Sequence, residues 1–566
     1  MCGIAGIYSF RGTVERRDID ALTDALAHRG PDGRGIHLEP QLALGHRRLA
    51  ILDPREVGAC PMRYRTPDGR ELFITFNGEV YNFLEIRAEL EAQGYRFATE
   101  TDTEVIVAAY ARWGEECLTR FNGMWAFAVW ESARKTLFLA RDRFSVKPLY
   151  YAVHDNALIF ASEMKAFSAL PGFPAQLDVN VVPDLLANSY ALEGTREETL
   201  MAGVKRLLGG HCLTVNGDGS ATMRRWWDSS AHLPQVAATY REQVEEFREL
   251  FFDALRIRMR SDVPLGTCLS GGIDSSAVAS GMAWLKGNDA ASLKRCPEDW
   301  QRSFIATFPG TMLDERQYAD EVVGHTGAVP RYWVFDPEEA VSHVVDSVWA
   351  MEEVYGGLAV PVWCIYRELR RDGVYVSLDG HGGDELLGGY TWYLDWPMER
   401  VNENLYNDVH YTLLPAILRN YDRCSMAHGI EVRMPLLDWR LVTYALALPP
   451  SAKMGGGYTK RVLRDALEGI MPDRVRQRQS KIGFNSPMIE WFNGGMAPLI
   501  DKVTSHKLWL DSPFWEGRAM REHIMAKTRA RGWSRADWGE SLRVWTLMNL
   551  VLWQMLFVEK TDPRNL

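Results

Sequence analysis

VPLGTCLSGGIDSSAVAS, residues 263–280, passes from an apolar strand through a Ser-Gly-Gly turn into a helix start of small residues. Such a turn aims successive backbone N–H groups and a helix N-terminus at an anion. No G-x-x-x-x-G-K-[ST] occurs in the chain, so a Walker-type phosphoryl-transfer loop is excluded. Asp274 follows the turn at the helix start, with Ser275 and Ser276 behind it. A second strand running into a Gly-rich loop lies at SLDGHGGDELLGGY, residues 377–390, and brings Asp384 as a second candidate metal carboxylate. An N-cap for the following helix is the plainer role for that aspartate. Short apolar strands at Gly266–Leu269, Phe304–Thr307 and Val374–Leu378 alternate with helical patterns. That alternation predicts a parallel α/β core.

Upstream of this core, Val244, Phe247, Phe251, Ala254 and Leu255 recur at i, i+3, i+4 spacing, the mark of an amphipathic helix. Before it, WWDSSAHLPQVAATY at 226–240 has no sustained period and reads as a connector. The first 210 residues differ again. Ile4–Tyr8, Leu72–Phe76, Trp125–Trp130, Leu137–Ala140 and Ala157–Ala161 read as strands, and Phe83–Gln93 and Thr103–Trp113 as helices, with Asp102 available as N-cap. Many short strands with few helices predict sheet-on-sheet packing with helices outside. The economical division is 1–215, a linker at 216–240, and 241–566.

The 566 residues include 46% hydrophobic and 24% charged, the proportions of a globular chain. Lys+Arg 64 against Asp+Glu 74 gives a net charge of −10, which argues against wrapping nucleic acid. The charge-free stretch Val544–Val558 falls short of a membrane span, and no basic-then-apolar leader opens the chain. The 8 cysteines form no C-x-x-C pair. The expectation is a soluble, cytoplasmic protein without nucleic-acid or membrane partners.

Cys2 follows the initiator Met1, so loss of one residue would place a thiol beside a free α-amine. With a reference pKa of about 7.7–8.0, that amine can take the thiol proton near neutral pH. CGIAGIYSF, HRGPDGRG (28–35), GHRRLAILD (45–53), FNGEVYN (76–82), TDTE (101–104), GMWAFAVW (123–130), RDRFSVKPLYY (141–151) and FASEMKA (160–166) follow in order. Together they resemble the class II glutamine amidotransferase domain, an α+β N-terminal-nucleophile sandwich with αββα layers. The resemblance implies Cys2 as nucleophile, with Asn77 and the Gly78 N–H as oxyanion donors. It implies Arg48 at the glutamine α-carboxylate, and Glu79 and Asp102 at the α-amine. Taken alone, Asn77-Gly78 is equally a hairpin turn.

Ser270–Ser276, S-G-G-x-D-S-S, resembles the pyrophosphate loop of AMP-forming ATP-dependent enzymes. With NYDRCSMAHGIEVRMPLLD (420–438) and RQSKIGFNSPMIEWF (478–492), the whole chain resembles the glutamine-hydrolysing asparagine synthetase family. The second half is then a helix-rich α/β pyrophosphate-loop domain of the adenine nucleotide alpha hydrolase type. The resemblance implies ATP as co-substrate, bound at Cys268, Ser270, Gly271, Gly272, Asp274, Ser275, Ser276, Ala306 and Gly380. Asp274 and Asp384 would carry Mg²⁺, and Lys481 would neutralise charge on the phosphates. Glutamine, ATP and a carboxylic acid acceptor are the expected partners, ammonia crosses between the sites through an internal tunnel, and a homodimer is compatible with the family.

Two departures bear on the acceptor. Asparagine-forming members read G-E-G-S-D-E where this chain reads G-H-G-G-D-E, putting His381 in place of a glutamate that faces the acceptor. His381 can serve as base for the incoming ammonia, with Glu431 as the candidate second member of a dyad. GGLAVPVWCIY, 356–366, replaces a Ser/Thr-containing stretch with an apolar, Trp-bearing wall, which suggests a larger or less charged acceptor. Aspartate is the first expectation for the acceptor, and another carboxylic acid of a specialised pathway is the alternative.

Overall fold

The structure is a computed structural model that describes all residues except Met312, Lys481, Ile482, Phe484 and Asn485. Strands are numbered in chain order. The first sheet runs β10 (Lys205–Arg206), β8 (Tyr150–His154), β9 (Ala157–Ala161), β1 (Gly3–Ser9), β3 (Leu42–Arg48) and β2 (Gly33–Leu38). The second runs β12 (Ala221–Arg225), β11 (His211–Val215), β7 (Thr136–Arg141), β6 (Gly123–Glu131), β5 (Glu71–Val80) and β4 (Met62–Arg65). Neighbours within both sheets are antiparallel.

Side-chain alternation along these strands builds the layers. Ile4, Tyr8, Leu42, Leu44 and Phe160 from the first sheet share one core with Phe73, Ala128, Trp130, Leu137 and Leu139 from the second. The alternate residues of β1, Ala5 and Ile7, pack instead with Ile19 and Leu22 of the helix Arg16–Asp24. Ile74 and Phe76 of β5 pack outward with residues of the helices Phe83–Ala92 and Asp102–Trp113. The result is the expected αββα sandwich.

The third sheet is parallel: β15 (Val329–Val334), β14 (Arg302–Thr307), β13 (Leu265–Cys268), β16 (Val376–Leu378) and β17 (Glu431–Arg433). The chain builds outward from β13 through β14 to β15, then returns to lay β16 and β17 on the other side. The strand order therefore reverses between β13 and β16, which is where ligands of open α/β sheets bind.

Three local expectations change. Thr101, not Asp102, caps the helix Asp102–Trp113, its side chain accepting from the Glu104 N–H. The Asp102 carboxylate instead accepts the Val80 N–H at 2.9 Å, across at the end of β5. The stretch expected as a linker contains β12, which pairs with β11, so the sandwich ends at Arg225. The long helix that follows starts at Tyr240, closed by a capping box between Thr239 and Glu242. The helical run Arg535–Val558, longer than its charge-free part, is apolar enough to span a membrane by composition, but 67% of its apolar window is buried inside the protein. Trp545 and Trp553 in it donate to the carbonyls of Gly357 and Glu352.

Buried ions join the two halves. Arg29, fully buried, donates to Asp422 at 2.9 and 3.3 Å and to Glu163 at 2.7 Å. Arg206 reaches Glu353, Arg419 reaches Glu193 at 3.1 Å, and Arg423 reaches Glu163 at 3.3 Å. Removing one member of such a set leaves an uncompensated charge out of water, at about 3–5 kcal/mol. Asp422→Ala, which strands Arg29 and Lys147, is expected to lower the denaturation midpoint markedly. Arg241→Ala, which breaks only the exposed pair with Glu245, is expected to leave it unchanged. Denaturant titration followed by tryptophan fluorescence distinguishes the two.

Candidate active sites

Cys2 stands at the threshold of β1. Its thiol lies 3.9 Å from the Leu49 carbonyl and its backbone N–H donates to Asn77 Oδ1 at 3.0 Å. With Met1 in place that nitrogen is an amide, and burial pushes the thiol pKa up. The Met1 ammonium sits 3.2 Å from Glu431 Oε2, fully buried.

Asn77 and Gly78 lie inside β5, opposite Ala126 and Trp125 of β6, so the hairpin-turn reading is wrong. A two-residue turn and a mid-strand pair share the same letters; the ten-residue run of β5 decides. Gly78 has φ +151, and a Cβ there would lie 2.1 Å from the Met124 carbonyl oxygen, so only glycine fits. Asn77 turns its Oδ1 to Cys2, and its Nδ2 is buried with no hydrogen-bond partner among the described residues. A buried donor left unpaired is costly, which suits one reserved for an oxyanion.

Cys2, Arg48, Gly78, Glu79 and Asp102 line one cavity. Arg48 is steadied by the carbonyls of Arg55 and Asp53, at 2.8 and 2.6 Å. Burial, with Glu431 and Asp102 close by, pushes the Glu79 carboxyl well up. Burial likewise raises Asp102, to about 7. Two carboxyls whose pKa values are raised by burial and by Glu431 form a pocket that gains by receiving a cation.

The second site is at the switch point. Cys268 ends β13, Ala306 lies near the end of β14, and Gly380 follows β16, so the nucleotide residues share the C-terminal edge of the sheet. Gly271 has φ +80, and a Cβ there would meet Tyr318 Cβ and Ala319 N at 2.7 Å. Ser270 Oγ accepts the Gly272 N–H at 3.1 Å and contacts Ser275 Oγ at 3.1 Å, which pins the turn ahead of the helix Ile273–Asn288. Ser276 is fully buried in the first turn of that helix. Gly380 abuts this turn: a Cβ would sit 2.5 Å from the Asp274 carbonyl carbon.

Asp274 and Asp384 converge on one ammonium: Lys460 Nζ lies 2.5 Å from Asp274 Oδ2 and 2.7 Å from Asp384 Oδ1. Asp384 is not an N-cap, since Gly382 holds that place before the short helix Gly383–Leu387. Two carboxylates around a cation position fit a hard divalent ion that draws its other ligands from phosphate and water. Among the described residues no set of three or more His, Cys, Asp or Glu forms a metal cluster. Lys460 carried no motif signal, because it is brought here from the far side of Gly455–Gly457 only by the fold. Arg478, whose NH1 donates to the Gly271 carbonyl at 3.3 Å, and Arg464 line the same cavity as Gly272 and Lys460. Lys481 lies outside the described residues.

His381 is placed beside Asp379, Tyr366 and Tyr421, not beside Glu431. Its Nε2 lies 3.4 Å from Asp379 Oδ2, and its ring stacks on Tyr421 with centroids 3.4 Å apart. Glu431 is occupied by Arg433 at 2.5 Å and by Met1, because it sits on β17 facing the sandwich half. The apolar wall also resolves differently. Trp363 packs on His343 and His428, with centroids at 4.7 and 4.2 Å, and the residue that its helix, Val360–Arg371, sends to the loop is Tyr366.

Comparison with known proteins agrees with this two-site arrangement. Residues 1–227 match the family described as glutamine amidotransferase domain, and residues 246–402 and 395–555 match asparagine synthase. The chain is 28% identical to asparagine synthetase [glutamine-hydrolyzing] 1 of Bacillus subtilis, over 99% of this chain and 97% of that protein. It is 30% identical to asparagine synthetase [glutamine-hydrolyzing] 3 of the same organism, over 85% and 86%. It is also 25% identical to amidase chry2 of Gibberella zeae, over 89% and 91%. A glutamine amidotransferase domain followed by a synthase half makes the chain a ligase of the glutamine-hydrolysing type, and it belongs to the asparagine synthase family.

Proposed function

We propose that the enzyme hydrolyses glutamine at Cys2 and uses the ammonia to amidate a carboxylate that ATP has activated as an acyl-adenylate, releasing pyrophosphate and AMP. Aspartate is the acceptor assigned first, in keeping with the names of the two Bacillus relatives. The observation that carries the ATP half is the convergence of Asp274 and Asp384 on one cation position behind a glycine turn at the sheet's switch point.

In the sandwich half, cleavage of Met1 frees the Cys2 α-amine to take the thiol proton. The thiolate attacks the glutamine amide carbon, and Asn77 Nδ2 and the Gly78 N–H hold the oxyanion. Arg48 receives the α-carboxylate; Glu79 and Asp102 receive the α-ammonium. Ammonia leaves, and water releases glutamate from the thioester. In the synthase half, the Ser270–Ser276 turn and helix N-terminus cradle the departing pyrophosphate, with Cys268, Ala306 and Gly380 lining the nucleotide edge. Asp274 and Asp384 would hold Mg²⁺, which would neutralise charge on that leaving group. Lys481 is assigned the same task, and His381 is assigned to face the acceptor. A second reading, amidation of a carboxylate other than aspartate, is favoured by one observation: His381 stands where asparagine-forming members carry glutamate.

Pyrophosphate release with ATP, Mg²⁺, ammonium and a panel of carboxylic acids tests both readings; aspartate is expected to give the largest signal, and no release with any acid would refute the proposal. Cys2→Ala is expected to abolish glutamine-driven amide formation while ammonium-driven formation persists. Asp274→Asn and Asp384→Asn are each expected to cut acceptor-dependent pyrophosphate release by about 10²-fold or more, with glutamine hydrolysis retained. The glutamine KM carries a pH signature. Asp102 loses its proton near pH 7 and must be ionised to hold an ammonium. The KM is therefore expected to rise about tenfold from pH 8 to pH 6, and the rise is expected to vanish in Asp102→Asn.

A further inference from the structure

The surroundings of His381 fix which of its nitrogens carries the proton. Tyr366, from the helix Val360–Arg371, donates its one hydroxyl proton to Asp379 Oδ2 at 2.6 Å. Toward His381 Nε2, 3.5 Å away, the same hydroxyl then has only lone pairs to offer. Asp379 is likewise an acceptor. Burial pushes its carboxyl up, but hydrogen bonds from His381, Ser377 and Tyr366 outweigh that and hold it below the usual carboxylate range. It also accepts the Ser377 hydroxyl at 2.6 Å and the Cys268 N–H at 3.0 Å. Both groups opposite Nε2 can only accept, so Nε2 must be the donor.

We infer that Asp379 and Tyr366 are positioning residues that lock His381 as the Nε2–H tautomer, leaving the Nδ1 lone pair as the base for amide formation. This rests on the proposed amidation and deepens it. Tyr421, from the helix Leu414–Met426, holds the plane of the ring, and no described contact engages Nδ1. The titratable groups around the imidazole are Asp379 on its own loop, Tyr366 and Tyr421 on the two helices, and Cys268 at the end of β13. Of these, only Asp379 is an anion at neutral pH.

The step balances. The ammonia lone pair forms the C–N bond at the acyl-adenylate carbonyl, and one N–H proton passes to Nδ1. The C–O bond to the phosphate breaks with its electron pair on AMP. The resulting imidazolium is paired with Asp379, and the proton leaves to solvent. An anionic partner behind the ring makes this charge easier to bear, the logic by which a buried aspartate orients and supports a catalytic histidine. The loop thus keeps a carboxylate near the acceptor without pointing it at an anionic substrate: the carboxylate stands behind, and the imidazole stands in front.

The test uses the full-length enzyme driven by ammonium, so that glutamine hydrolysis drops out. Acceptor-dependent ATP–pyrophosphate exchange and amide yield are followed from pH 6 to pH 9 in wild type, Asp379→Asn and Tyr366→Phe. In wild type, exchange and amide formation are both expected across this range. Asp379→Asn is expected to slow amide formation about 100-fold and exchange far less. Tyr366→Phe, which keeps the carboxylate, is expected to slow amide formation about tenfold. Imidazole ¹⁵N spectra, with the His381 signal identified by its absence in His381→Gln, are expected to show Nε2–H in wild type and a mixture in Asp379→Asn. An Nδ1–H tautomer in wild type, or exchange and amide yield unchanged or falling in parallel in both variants, would overturn the inference. If Asp379→Asn does not fold, Tyr366→Phe and the wild-type spectrum decide alone. Absence of exchange with every acid in wild type would instead sink the amidation reading, while the spectrum still reports the tautomer.

Discussion

One buried guanidinium, Arg433, holds the two chemistries in register. Its Nε pairs with Glu431, its NH1 donates to the carbonyls of Arg258 and Arg260, and its NH2 faces Glu79 at 3.5 Å. Through its backbone it accepts the Asp379 N–H at 2.9 Å. One residue therefore touches the glutamine pocket, the end of the long helix Tyr240–Arg258, and the loop that presents His381. A charge held out of water depends on each partner it has, so moving any one of these groups alone weakens what holds it. The planar fork of arginine suits this task; a lysine would offer one point charge to several directions.

Around that anchor the two sites share an electrostatic design. Each brings carboxyls together where burial makes a second negative charge expensive. At Glu79 and Asp102 the expense appears as raised pKa values, which the α-ammonium of glutamine would relieve. At Asp274 and Asp384 it is met by the Lys460 ammonium. Binding energy at such places comes less from new contacts than from removing a repulsion built into the empty pocket. The complementary feature beside Cys2 is Asn77 Nδ2, a buried donor with no hydrogen-bond partner among the described residues.

The interface between the halves is polar where most cores are apolar. Arg29, Arg206, Arg419, Arg423 and Lys147 are all buried, each paired with an acidic residue of the other half. Ion pairs of this kind add little net stability over a hydrophobic seam, but they penalise every misaligned register, because a misplaced arginine is left unpaired. Cys2 takes part directly, since the Arg29 Nε donates to its carbonyl at 3.0 Å while the same guanidinium holds Asp422. The Cys2 backbone is thus tied to the other half of the protein.

The sequence by itself determined whatever is local. The short apolar runs Ile4–Tyr8 and Trp125–Trp130, the Ser270–Ser276 turn and its following helix, and the strand–loop–Asp384 pattern all depend on neighbours a few residues away, and all are found where the sequence put them. The glycine turn was legible because its conformation is carried by contiguous residues. The tertiary structure decided what depends on distant partners. Asn77-Gly78 has the letters of a turn, and only pairing with β6 makes it a strand. Asp102 and Asp384 have the letters of N-caps, yet Thr101 and Gly382 take those places, and the two carboxylates pair instead with the Val80 N–H and Lys460. Lys460 reaches the Asp274–Asp384 pair across nearly two hundred residues of chain, with no local signal. Glu431 was drawn toward His381 by motif proximity, but strand pairing turns it to Arg433, and Asp379 and Tyr366 take its place. A hydrogen bond's direction is set by which atoms meet, and which atoms meet is settled only when strands from three parts of the chain close into one sheet.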